Sequence, residues 1–131
     1  MSYLVDSDWV ADWLHGKPAA VELLTTLAPA GLAISLITYG EIYEGIYFGR
    51  DPKQSERVFR QFLRPVAVLP LTKPIMRRFT RIRGQLHQKG LLIPDPDLLI
   101  GATAIEHGLT LVTRNRRDFD RIPELSLYQQ G

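Results

Sequence analysis

Four acids of this chain stand where carboxylates can act together, although the sequence separates them widely: Asp6, Glu41, Asp97 and Asp118. Asp6 closes the β-favouring run Tyr3-Leu4-Val5, and Glu41 sits three residues after Thr38. Asp97 opens a long apolar helical stretch, and Asp118 lies in the polar segment after the β-run Leu109 to Thr113. Several carboxylates in one low-dielectric pocket cannot all stay ionised unless a proton or a cation neutralises them. A hard cation suits the task, because Mg²⁺ or Mn²⁺ prefers oxygen ligands, keeps several waters and links carboxylates to a phosphate. Such an ion activates water and stabilises the charge of a phosphodiester transition state. His15, His87 and His107 are scattered, so zinc is not expected. With no cysteine, the chain has no disulfide scaffold, thiol nucleophile, iron-sulfur cluster or thiolate zinc site.

Each acid also has a local explanation. Asp6 and Asp8 can serve helix N-termini, Glu41 can complete a capping box with Thr38, and Asp97 can complement a helix dipole. Asp118, with Asp120 and Glu124, can pair with Arg116, Arg117 and Arg121. Asp95 is a second candidate beside Asp97, but its place before Pro96 suits a turn. An Asp-x-Asp after a first strand also suits a phosphatase, with Asp6 as nucleophile and Asp8 as general acid. That alternative leaves the Thr38 to Glu41 box without a purpose.

The elements that must position these acids read as strands alternating with helices. After Tyr3 to Val5, residues Val10, Trp13 and Leu14 recur at helical spacing, with Ser7 or Asp8 as the cap. A second helix begins near Pro18 and turns Val21, Leu24, Leu27 and Ala28 inward, and Leu32 to Ser35 is a buried strand. Thr38 to Glu41 opens a third helix, whose Gly45 and Gly49 imply close approach by another element. A helix from Pro52 to Leu63, a strand from Val66 to Leu69 and a long helix from Thr72 or Lys73 follow. Leu98 to His107 is a central helix, Leu109 to Thr113 a strand, Arg114 to Asp118 a polar loop, and Leu125 to Tyr128 a last strand. This alternation predicts an α/β layer fold with a mainly parallel sheet, where ligands gather beyond the carboxyl ends of the strands. Asp6, Asp97 and Asp118 then face one crevice, and Glu41 can reach it.

The 131 residues, 45% hydrophobic and 23% charged, suit a single domain over 1–131 that buries roughly two-thirds of its unfolded surface. A net charge of +2 conceals a division. Up to Gly49 there are six acids and one lysine; beyond it there are fifteen bases and eight acids. Bases suit a polyanion, whereas clustered acids suit one only with a cation between them. Arg77, Arg78, Arg81, Arg114, Arg116 and Arg117 are candidates for phosphate contact or for a solvated surface. The N-terminus has no basic lead and no apolar run approaches the ~18 residues that span a bilayer. A cytoplasmic protein without membrane contact is expected.

Four segments carry a resemblance that covers nearly the whole chain: Leu4-Val5-Asp6-Ser7-Asp8, Thr38 to Gly45, Ile93 to Ala104, and Leu111 to Phe119. In this order and spacing they resemble the PIN-domain ribonucleases, and most closely the VapC-type toxins of bacterial toxin-antitoxin operons. The resemblance implies a three-layer α/β/α fold around a mainly parallel sheet of four or five strands. It also implies a Mg²⁺-dependent ribonuclease, Mn²⁺ being an alternative ion, held in check by a VapB-type antitoxin and commonly dimeric. Asp6, Glu41, Asp97 and Asp118 would be its catalytic acids, Asp6 and Asp97 its metal ligands, and Ser7, Thr113, Arg114 and Asn115 its lining or RNA-contact residues. In some relatives a fourth acid occupies the position of Asn115, so either Asn115 or Asp118 completes the site here. The same fold without turnover, as an RNA-binding protein, is a further alternative. Tyr39, Tyr43, Tyr47 and Phe48 suit either a partner or this chain's own core.

Overall fold

Alternating short β-runs and amphipathic helices assemble into three layers. The computed structural model describes residues 1–129. Its elements are β1 (Tyr3–Val5), α1 (Ser7–Leu14), α2 (Pro18–Leu27), a 3₁₀ turn (Ala28–Ala30), β2 (Leu32–Ser35), α3 (Leu36–Tyr47) and α4 (Pro52–Leu63). There follow β3 (Ala67–Leu69), α5 (Lys73–Gln88), α6 (Asp95–Glu106), β4 (Thr110–Val112) and α7 (Arg116–Phe119). The four strands lie in the order β3-β2-β1-β4, and every pairing is parallel. Leu111 pairs with Leu127 only through an isolated bridge, so the expected last strand is reduced to one point of contact.

Strand alternation divides the core. Val5, Leu32, Ile34 and Val112 face the helices α1 to α4, where Trp9, Val10, Phe59 and Phe62 fill the layer. Leu4, Ala33 and Leu111 face the opposite way, against Ile82 and Leu86 of α5 and Leu98, Ile100 and Ala104 of α6. Because α6 is buried on most sides, it needs small residues where neighbours come close. A Cβ at Gly101 would lie 3.1 Å from Ile122 Cδ1 and 3.6 Å from Phe119 Cε1. Gly31 has φ +95°, and a Cβ there would come within 2.8 Å of the Met1 backbone, where its carbonyl receives the N–H groups of Ser2 and Tyr3.

Several helix starts differ from the expected ones, while at α1 the cap is Asp6, one of those the sequence offers. Its Oδ1 accepts from Ser7 N, so the cap lies before both Ser7 and Asp8. Ser35 caps α3, which therefore begins one turn earlier, and Thr38 donates its N–H to Ser35 Oγ at 3.0 Å. Glu41 is thus released from capping. Similarly, α6 begins at Asp95 rather than Leu98, and the expected Arg114 to Asp118 loop contains α7. In α2 the buried residues are Ala20, Leu23, Leu24 and Leu27, while Val21 is 38% exposed. The expected close approach at Gly45 is not present, since a Cβ there meets nothing within 4 Å, and Gly49 lies beyond the end of α3. Among the described residues no helix is long and apolar enough to cross a membrane.

Candidate active site

The strand order places the reversal of chain direction across the sheet beside β1, which lies between β2 and β4. The carboxyl ends of β1 and β4 come together there, with Val5 opposite Val112 and Asp6 N donating to Val112 O at 2.9 Å. Such a reversal is where an open parallel sheet leaves a crevice for a ligand. Asp6 and Thr113, each the first residue past its strand, are therefore neighbours across 107 residues of sequence.

Asp6 is only 6% exposed, and both its oxygens are held. Oδ1 accepts from Ser7 N at 2.7 Å and Oδ2 from the Thr113 hydroxyl at 2.6 Å. Thr113 Oγ1 in turn accepts the backbone N–H of Asn115 at 3.0 Å. The Asn115 amide then donates to Asp97 Oδ2 and to Asp118 Oδ2, both at 3.2 Å. On the other side Ser7 Oγ donates to Glu41 Oε1 at 2.6 Å and lies 3.1 Å from Thr38 Oγ1. One hydrogen-bonded line therefore links four acids from four elements through Ser7, Thr113 and Asn115.

The electrostatics show the same convergence. Burial, opposed by the Thr113 hydrogen bond and reinforced by the charges of Asp8 and Asp97, pushes Asp6 up to about 6. Asp97 is also raised, first by burial and then by the charges of Glu41, Asp118 and Asp8. Among the described residues no three acidic side chains come close enough to ligate one ion together. A hard divalent ion that takes one or two carboxylates and completes its shell with water and substrate phosphate needs no larger cluster. An all-oxygen donor set fits a hard ion, and the three histidines stay exposed at helix ends, outside the line of acids.

The raised Asp6 has a consequence for stability. Between its ordinary value of 3.8 and about 6 the folded metal-free protein holds a proton that the unfolded chain has lost. The contribution is thus fully present below pH 4 and is lost as pH rises through 6, about 3 kcal/mol in all. Thermal melts in chelator should show this loss between pH 4 and 7, and added Mg²⁺ should remove it. A pH trace identical with and without the ion would contradict the assignment.

The remaining candidates divide. Asp8 is raised by burial, yet its Oδ1 accepts from Trp9 N and its Oδ2 from Arg114 N, so it is committed to holding backbone. The phosphatase alternative loses its general acid by this arrangement. Asp95 is the first residue of α6 rather than part of a turn, and it pairs with Arg83. Arg78 is taken by Glu106 and Glu124, and Arg116 by Asp120 and the Tyr128 carbonyl. Arg114 pairs with Asp12 at 2.6 Å, a partner that sequence reading missed because Asp12 looked like an ordinary surface acid of α1. A further basic groove on α4, with Lys53, Arg57, Arg60 and Arg64, also went unread beside that helix's apolar face.

Residues 3–125 match the family model described as the PIN domain. The chain belongs to the PIN domain family. Among its PIN relatives, Ribonuclease VapC1 of Methanocaldococcus jannaschii is 35% identical over 124 residues, covering 95% of this chain and 83% of the relative. Ribonuclease VapC2 of Rickettsia felis is 34% identical over 96 residues, covering 73% and 72%. The PIN fold seen here also matches the crystal structure of VapBC2 from Rickettsia felis bound to a DNA fragment from their promoter. That match has a TM-score of 0.91 and 28% identity over 100% of both chains. The α/β/α architecture expected from the sequence is therefore the PIN architecture, with four strands in its sheet.

Proposed function

We propose that this chain is a Mg²⁺-dependent ribonuclease, the toxin of a type II toxin-antitoxin pair, with Asp6, Glu41, Asp97 and Asp118 as its working acids. One observation carries the reading: Asp97 lies in the combined field of Glu41, Asp118 and Asp8, beside a buried Asp6 that is raised to about 6. Family membership and the ribonuclease names of the relatives support the same reading.

In this proposal Asp6 and Asp97 hold the ion, and Mn²⁺ serves in place of Mg²⁺. The ion supplies an activated water and stabilises phosphate charge. Thr113 and the Ser7 N–H fix the two oxygens of Asp6, so that its carboxylate keeps one orientation. Asn115 spends both amide hydrogens on Asp97 and Asp118, which leaves its carbonyl oxygen to orient water. An amide cannot take a proton at working pH, so Asp118 is the group that accepts one from the attacking water. Ser7 holds Glu41 at the outer edge. An RNA chain is the substrate, a VapB-type antitoxin the inhibitor and the cytoplasm the place of action. Tyr47 and Phe48, 65% and 86% exposed, belong to the face through which two copies pair, while Tyr39 and Tyr43 pack on Phe59.

The test is RNA cleavage with Mg²⁺, with Mn²⁺ and with chelator, beside phosphate release from a small phosphomonoester. Cleavage with either ion, none in chelator and no phosphate release is expected. Release of phosphate without RNA cleavage would restore the phosphatase, and RNA binding without metal-dependent turnover would leave a non-catalytic relative.

A further inference from the structure

We propose that Arg114 is a positioning residue rather than an RNA contact: it clamps the loop between β4 and α7 to helix α1 and thereby sets where the Asn115 amide stands. The proposal rests on the site described above, and the outcomes below separate its failure from failure of the nuclease reading. The loop is three residues long. Thr113 reaches Asp6, Asn115 reaches Asp97 and Asp118, and Arg114 between them faces α1.

Three contacts hold Arg114 there. Its backbone N–H donates to Asp8 Oδ2 at 3.0 Å, and Asp8 is itself fixed because Oδ1 accepts from Trp9 N at 2.7 Å. Its guanidinium pairs with Asp12 Oδ2 at 2.6 Å, while Asp12 Oδ1 also faces Lys17 at 3.4 Å. The same guanidinium lies over the Trp9 ring, 3.8 Å from its centroid. A lone ion pair with one partner 43% exposed would contribute little. Here the pair is joined to a stack on a ring that is 4% exposed and to a backbone hydrogen bond. All three anchors come from the first two turns of α1, the helix that Asp6 caps. The clamp therefore refers the loop to the same helix end that carries Asp6, so Asp6 and Asn115 share a frame. A planar guanidinium that stacks and pairs at once explains arginine, since lysine can do only one of these well.

The experiment compares Arg114→Ala, Arg114→Lys, Asp12→Asn and the Arg114→Ala/Asp12→Asn double variant in steady-state cleavage of an oligoribonucleotide at several salt concentrations. Arg114→Ala and Asp12→Asn should each lower kcat by about 10- to 100-fold, as loss of a group that orients ligands does, with KM unchanged. Arg114→Lys should not restore kcat, and the double variant should be no worse than the weaker single one. If Arg114 instead binds phosphate, its loss raises KM and reduces the salt slope by about one, while Asp12→Asn keeps full kcat; that result overturns the clamp. The Asn115 side-chain amide resonances of ¹⁵N-labelled metal-free protein give a readout without turnover. They should move in both single variants, and unmoved resonances would overturn the clamp even if the wild-type chain cuts no RNA.

Discussion

Asp6→Asn will abolish RNA cleavage and at the same time make the metal-free protein more stable above pH 6. The two effects have one origin. Burial and the charges of Asp8 and Asp97 oppose ionisation of Asp6, so in chelator its carboxylate is costly to keep charged. Asparagine keeps the shape and an oxygen for Ser7 N, but removes the charge. Stability at pH 7 should rise by up to about 3 kcal/mol, the free-energy equivalent of Asp6's displacement. The opposite effect on catalysis is larger in rate terms. On the proposed reading Asp6 holds the ion, and removing such a ligand forfeits several kcal/mol of transition-state stabilisation, or about 10³-fold in kcat/KM. Calorimetry in chelator and a cleavage assay on the same sample check both. A variant that cuts RNA at the parent rate would remove Asp6 from the chemistry.

Phe119→Ala should be the most damaging single truncation near the site. Phe119 is 0% exposed and its ring packs against α6 beside Gly101. Deleting such a side chain typically removes about 3–5 kcal/mol, part of it from the cavity left behind. That is a large share of the ~5–15 kcal/mol that holds a domain together. Since α7 is only four residues long, its position depends on this anchor, and Asp118 is the residue beside it. Urea unfolding should show the lowered midpoint, and Phe119→Leu should recover most of it. A loss below about 1 kcal/mol would mean that α7 is anchored elsewhere.

Much of the candidate site is legible in the sequence because its acids occur at ends of elements, where strand and helix patterns change. Asp6 after Tyr3-Leu4-Val5 and Asp97 before a continuous apolar helix are of this kind. Glu41 stands out in the sequence for a reason that the structure does not share. The Thr38 to Glu41 spacing looks like a capping box, yet Ser35 is the cap and Glu41 answers to Ser7, thirty-four residues earlier. Periodicity cannot express that contact, because it depends on β1 and β2 being adjacent. The same limit hid the partner of Arg114, since Asp12 precedes it by about a hundred residues and is brought near only by the β1–β4 pairing. The last strand was overread because Leu125 to Tyr128 alternates as a strand does, whereas only Leu127 finds a partner in the sheet.

The parallel pairing of β1 with β4 also governs when the proposed toxin becomes dangerous during its own synthesis. Asp6 leaves the ribosome more than a hundred residues ahead of Thr113, Asn115 and Asp118. A growing chain therefore has no complete cutting centre while most of it is still being translated. The cell that makes it is protected by topology until the final strand docks, which leaves an inhibitor time to be present when release occurs.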